Sequence, residues 1–181
     1  MAADAIRNSD TRFPVVLRER LGAAAPSELF SLGNLSLLST PKTALFYSVR
    51  SPGSAILAAY DQAAHWRDTE HCVISGFHSP IEKECLRILL RGRQPIIICP
   101  ARSLENIRLP AAWTASLTEG RLLILSRFNS THRRATTELA TRRNKLVAAL
   151  ADEVWFAHIA PGGQTERLAK MVARWSPAST P

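Results

Sequence analysis

The sequence predicts a doubly wound α/β fold, with a mostly parallel sheet of about five strands and helices on both faces. Three observations carry this. Apolar runs of strand length recur along the chain with little internal alternation, as in strands buried on both faces. Stretches with helical spacing of apolar residues separate most of them, the order that a parallel sheet requires. The chain has 181 residues, 46% hydrophobic and 21% charged. That suits one domain with its own core and not a disordered chain.

The elements follow in order. Residues 1–12 are polar and are expected to be mobile. From 13 to 38, the apolar residues Phe13, Val16, Leu17, Leu21, Leu29 and Phe30 are interrupted by Pro14, Gly22, Pro26 and Gly33. This predicts short helical pieces, so that 1–38 is an N-terminal extension packed on a core of 39–175. The core opens with a strand at 43–48. A helix over 52–66 follows, with Ile56, Leu57, Tyr60, Ala63 and Ala64 on one side. A strand at 72–75 leads to a helix over 80–91 that turns Ile81, Cys85, Ile88 and Leu89 inward. Strands at 95–99 and 122–125 come next. The helix over 136–150 aligns Leu139, Leu146, Val147 and Leu150. A fifth strand at 154–157 and a helix over 165–175 complete the core. The tail, 176–181, is expected to be disordered.

Several functional classes are disfavoured at once. No apolar run is long enough to cross a bilayer, so no membrane partner is expected. Asp4 with no apolar block behind it argues against a secretory signal. Cys72, Cys85 and Cys99 form no C-x-x-C and are odd in number, which points to a reducing cytoplasm. The five histidines show no metal-ligand spacing, and neither G-x-S-x-G nor G-x-x-x-x-G-K-[ST] occurs. No metal and no cofactor are expected.

The charge balance is more informative. The net charge is +8, compatible with an anionic partner such as nucleic acid or with surplus surface arginine. Between 121 and 150 there are seven cations (Arg121, Arg127, Arg133, Arg134, Arg142, Arg143, Lys145) against Glu138 alone.

In a sheet of this kind, ligands sit beyond the carboxyl ends of the strands. After the first core strand, Ser51 is expected to cap a helix with Pro52 at its first position. Ser48, Arg50 and Gly53 would then lie near exposed N–H groups suited to a phosphate; the plainer alternative is a capped loop with a solvated arginine. After the second strand, Ser75 and Gly76 give a tight exit where a ligand can approach the backbone, and His78 sits at its mouth. Ser79-x-x-Glu82 is a capping box. Lys83, Arg87, Arg91 and Arg93 read as a solvated face. After the fifth strand, Gly162 and Gly163 before Thr165 make either an anion cradle or a simple strand-to-helix turn. The basic run Arg142-Arg143-Asn144-Lys145 adds a fourth element. These turns are expected to converge on one cationic hollow that receives a phosphoryl group.

The ordered features Phe13-Pro14-x-x-Leu17, Gly33-Asn34-Leu35-x-Leu37-Leu38, the Ser48/Arg50 loop, Val73-Ile74-Ser75-Gly76 and Arg143-Asn144-Lys145 resemble the DprA/Smf family of DNA-processing proteins. The resemblance covers roughly residues 13–172 and implies that family's Rossmann-like core. It also implies a single-stranded DNA or nucleotide-phosphate binding protein, without catalysis. Its role would lie in DNA uptake, natural transformation and recombination, with a RecA-type recombinase as partner; a homodimer is also admitted. By this resemblance Ser48 and Arg50 line a phosphate pocket, Ser75 and Gly76 form its floor, and Arg143, Asn144 and Lys145 its basic wall. The sequence departs from the pattern at Tyr47, where the family has glycine, and at Phe77-His78-Ser79, where it has Gly-Ile-Asp. It reads as a short, divergent relative without the family's winged-helix domain.

A second resemblance is to the "lonely guy" phosphoribohydrolases, carried by Pro161-Gly162-Gly163-Gln164-Thr165-Glu166 and the upstream Arg143 and Lys145. It implies cleavage of a nucleoside monophosphate, with Arg143 and Glu166 as catalytic residues. Glu166 would stabilise an oxocarbenium-like transition state, or else simply favour a helix N-terminus. A non-catalytic nucleotide sensor is the third reading.

Overall fold

Strands apolar on both faces need cover on both faces, and the fold supplies it. The structure is a computed structural model and describes residues 3–48 and 51–175. Its strands are β1 (Asp4–Arg7), β2 (Glu28–Gly33), β3 (Lys42–Phe46), β4 (Cys72–Ser75), β5 (Ile96–Ile98), β6 (Leu122–Ser126) and β7 (Glu153–Phe156). The helices are α1 (Val15–Leu21), α2 (Gly53–Asp68), α3 (Pro80–Leu89), α4 (Thr114–Thr118), α5 (Thr137–Leu150) and α6 (Gln164–Ala173). The tail at 176–181, expected to be disordered, lies outside the described residues.

One sheet of seven strands has the order β1-β2-β6-β5-β4-β3-β7. The five expected strands are its parallel part. The chain runs outward from β3 through β4 and β5 to β6, then returns by α5 to place β7 on the other side of β3. β3 and β7 thus flank the topological switch point. Helices α1, α5 and α6 cover one face around Leu17, Leu146, Val147 and Leu168. Helices α2 and α3 cover the other around Ala59, Trp66, Cys85 and Leu89.

The N-terminal segment differs from the expectation of mobile residues followed by helical pieces. β1 and β2 are strands that extend the sheet antiparallel, β1 on β2 and β2 on β6. Only α1 and short 3-10 turns are helical there. The reason is burial: Ile6 and Leu29 are fully enclosed in the core beside Phe13 and Leu17. Strand pairing also satisfies backbone groups that a lone polar segment would leave to water.

Helix starts follow local chemistry. At α3 the expected capping box is present: Ser79 Oγ accepts from the Glu82 N–H at 3.2 Å, and Glu82 Oε2 accepts from the Ser79 N–H at 3.0 Å. The Thr136 hydroxyl accepts from the Leu139 N–H to cap α5. At α2 the expectation fails. Ser51 does not cap the helix; its hydroxyl donates to the Ser48 carbonyl at 2.5 Å, and α2 begins at Gly53 with no side-chain cap.

Candidate nucleic-acid interface

The loop after β4 is built on two anchors. The fully buried Ser75 hydroxyl donates to the Leu45 carbonyl at 2.8 Å, tying β4 to β3. Glu82 Oε2 accepts from both the His78 and the Ser79 N–H at 3.0 Å. Between these anchors Phe77 adopts φ +46°, a left-handed conformation that costs a non-glycine residue about 1–3 kcal/mol. Its ring is buried in the second core cluster, which holds the strain in place.

Gly76 faces Arg143. A Cβ at Gly76 would stand 1.7 Å from Arg143 Nη1 and 2.0 Å from its Cζ. The backbone approach expected of a ligand here is made instead by a side chain of the protein itself. Arg143 is 5% exposed. Its Nη1 donates to the Cys99 carbonyl at 2.9 Å and its Nε to Asn144 Oδ1 at 2.7 Å. Those bonds use two of its five N–H donors. Burial pulls the guanidinium below its usual range, offset by the charge of Glu82, but an arginine stays protonated.

Arg143, Gly76 and His78 line one groove of about 460 Å³, walled by α3 and residues 100–113. Lys83 and Arg87 reach it from α3; Arg102, Arg108 and Trp113 reach it from the opposite wall. Among the described residues, no acidic one lines it. Arg87 pairs with Glu84, whereas Lys83, Arg102 and Arg108 have no acidic partner among the described residues. The wall is fixed from behind, because the buried Ser126 hydroxyl donates to the Arg102 carbonyl at 2.7 Å. A buried cation below a ring of solvated cations, with apolar and aromatic surface between, suits a phosphate attached to a base.

The remaining expected residues lie elsewhere. Asn144 and Lys145 line a separate groove of about 350 Å³ between α5 and α6, with Gln164 and Arg167. Ser48 is buried, Gly53 is an exposed first residue of α2, and Arg50 lies outside the described residues. The Gly162–Gly163 turn is engaged by its own chain. The Gly162 N–H donates to Glu166 Oε2 at 2.8 Å, and the Gly163 N–H to the Ala160 carbonyl at 3.1 Å. Glu166 also pairs with Lys170 at 3.0 Å, and these contacts hold its carboxyl below the usual range, Lys170 foremost. The cradle expected for an external anion is therefore filled by Glu166. Thr165 is buried beside it, its Oγ1 without a hydrogen-bond partner among the described residues. Among the described residues, the expected single hollow is in fact several grooves, and of the expected set only Gly76, His78 and Arg143 share the cationic one.

Sequence reasoning left out Arg102, Arg108 and Trp113, and read Lys83 and Arg87 as a solvated face. The available signal was the long stretch between β5 and β6 with only short helical turns, since a loop of that length inside a compact domain is usually functional.

Fold and groove define a doubly wound α/β domain with a cationic, aromatic-lined groove at the carboxyl ends of its strands. Comparison with known proteins makes the assignment specific. The chain belongs to the DNA recombination-mediator protein A family, whose model matches residues 4–160. No curated protein matches the sequence. Solved structures that share the fold include two DNA processing proteins. DNA processing protein A (DprA) from Streptococcus pneumoniae matches at 19% identity and a TM-score of 0.74, over 95% of this chain and 60% of that one. DNA processing protein A from Helicobacter pylori, described for its single-stranded DNA binding mode, matches at 20% identity and a TM-score of 0.69, over 94% and 77%. The chain thus spans about three fifths of the Streptococcus protein.

Proposed function

We propose that the chain binds single-stranded DNA in the groove between α3 and residues 100–113, without covalent chemistry. Arg143 takes a phosphate at the floor, Lys83, Arg102 and Arg108 neutralise its neighbours, and a base lies against Trp113. One observation carries this reading: a groove with five cations and no acid, whose deepest cation is buried with donors to spare. Phosphate neutralisation dominates single-strand affinity, and stacking on an aromatic adds to it without sequence preference. The fold shared with the Helicobacter protein supports the same class of ligand. Family membership supports the wider role, which is DNA uptake in natural transformation with delivery of the strand to a RecA-type recombinase, by a homodimer. Three free, buried cysteines fit a reducing cytoplasm.

Fluorescence anisotropy of a labelled thymidine oligonucleotide tests the reading. Binding at low salt should weaken steeply as salt rises, and Arg143→Gln should flatten the log–log salt slope by about 0.7. Absence of binding by the unaltered protein at low salt overturns the proposal.

A further inference from the structure

Consecutive residues of α5 open onto two different pockets. Arg143 lines the groove described above; Arg142 lines a second pocket of about 290 Å³ beyond β6, with Arg127, His132 and Asn129. Neighbouring side chains on a helix diverge by about 100°, so one turn of α5 serves both. The Arg142 guanidinium lies over the Phe128 ring at 5.5 Å, and His132 sits against the same ring at 5.5 Å. Arg127 is anchored by Nη2, which donates to the Ala24 carbonyl at 3.1 Å, while its buried Nε has no hydrogen-bond partner among the described residues. Neither Arg127 nor Arg142 has an acidic partner among the described residues. The pocket's one acid, Glu28, already pairs with Arg7 at 3.7 Å. Two guanidiniums held together without a counter-charge repel each other, and an anion between them removes that cost. The repulsion registers at Arg127, which burial first and Arg142 second pull below the usual arginine range.

The two pockets have no lining residue in common, but the segments that flank them are tied together. The segment carrying Arg102 is bonded to the segment carrying His132, through the Ser126 hydroxyl to the Arg102 carbonyl and through the Ser103 N–H to the His132 carbonyl at 2.8 Å. We infer that the Arg127–Arg142 pocket is a second phosphate subsite, which takes a later phosphate of the same single strand that occupies the Arg143 groove. This rests on the proposed function and deepens it: the strand runs along the carboxyl ends from β4 past β6, and longer strands gain affinity at the second subsite.

The test is a length series. Thymidine oligonucleotides long enough for one groove, and others about three times as long, are titrated against the unaltered protein and against Arg142→Gln and Arg127→Gln. The proposal expects each variant to bind the short strand within twofold of the unaltered protein. It expects each to bind the long strand about five- to tenfold more weakly, with a salt slope lower by about 0.7. Arg142→Lys, which keeps the charge on the helix, should recover most of the long-strand affinity and guards against a folding artefact; so does thermal melting. A long-strand affinity untouched in the variants, or an equal loss for short and long strands, overturns the second subsite while leaving single-strand binding intact. Failure of the unaltered protein to bind even the short strand overturns the proposed function, and this inference with it.

Discussion

The guanidinium of Arg143 occupies the space that a side chain at Gly76 would fill, with Nη1 1.7 Å from where the Cβ would stand. The glycine's role is therefore to admit an arginine from a helix on the opposite face of the sheet. Gly76→Ala must push that guanidinium off the Cys99 carbonyl. Loss of a hydrogen bond to a charged group costs about 1.5–3 kcal/mol. The expected result is a lower melting temperature together with weakened oligonucleotide binding. A variant that melts and binds like the parent would show that Arg143 has another resting place.

The solvated cations of the groove behave differently. Lys83 and Arg108 are exposed and have no acidic partner among the described residues. Lys83→Gln and Arg108→Gln should change stability by less than about 0.5 kcal/mol. Each should lower the salt slope of binding by about 0.7. Melting curves and anisotropy titrations, run on the same samples, separate the two effects.

Ser79 fixes the start of α3 and, with Glu82, the turn that holds Phe77 at positive φ. Ser79→Ala should cost about 1 kcal/mol, as loss of a helix cap does, measured by chemical denaturation. Because Glu82 still accepts from the His78 N–H, binding should fall less than stability.

Burial pushes the thiols of Cys72, Cys85 and Cys99 from 9.0 up to about 12. The folded protein holds these protons more tightly than the unfolded chain. Their contribution to stability is whole below about pH 9 and is lost as pH rises from about 9 towards 12. Denaturation at about pH 8 and about pH 10.5 should show the alkaline loss, and Cys99→Ala should make it shallower. A thiol reagent at neutral pH should label the protein only when it is unfolded.

Ile6 has no exposed surface, although its strand is a four-residue edge. Ile6→Ala should cost about 2–5 kcal/mol, visible as a lowered melting temperature. A small effect would mean that β1 frays freely.

That last residue also marks where the sequence stopped being legible. The parallel strands could be read because runs such as Ile96-Ile97-Ile98 and Leu122-Leu123-Ile124-Leu125 are buried on both faces. β1 presents a single inward residue, and β2 is a six-residue segment between Pro26 and Asn34. β2 owes its strand character to pairing with β6, nearly a hundred residues away in sequence, and β1 to pairing with β2 in turn; no local pattern encodes either. At the site, Gly76 and His78 could be placed because a strand end and a helix start are local signals, whereas Arg143, in the middle of α5, was brought in by the basic run and the family resemblance. Arg102, Arg108 and Trp113 sit in a stretch without periodicity, and only the folded chain swings them over the groove. The Gly162–Gly163 turn misled for the opposite reason: its pattern is that of an anion site, and Glu166 supplies the anion from within.

Arg143 crosses from α5, on one side of the sheet, to meet Cys99 at the mouth of a cleft whose wall is α3, on the other side. A guest in that cleft touches both coats of the sandwich at once and acts as a rivet through it. Occupancy should then stiffen the domain as a whole, so that heat resistance and slowed amide exchange would report loading even far from the guest.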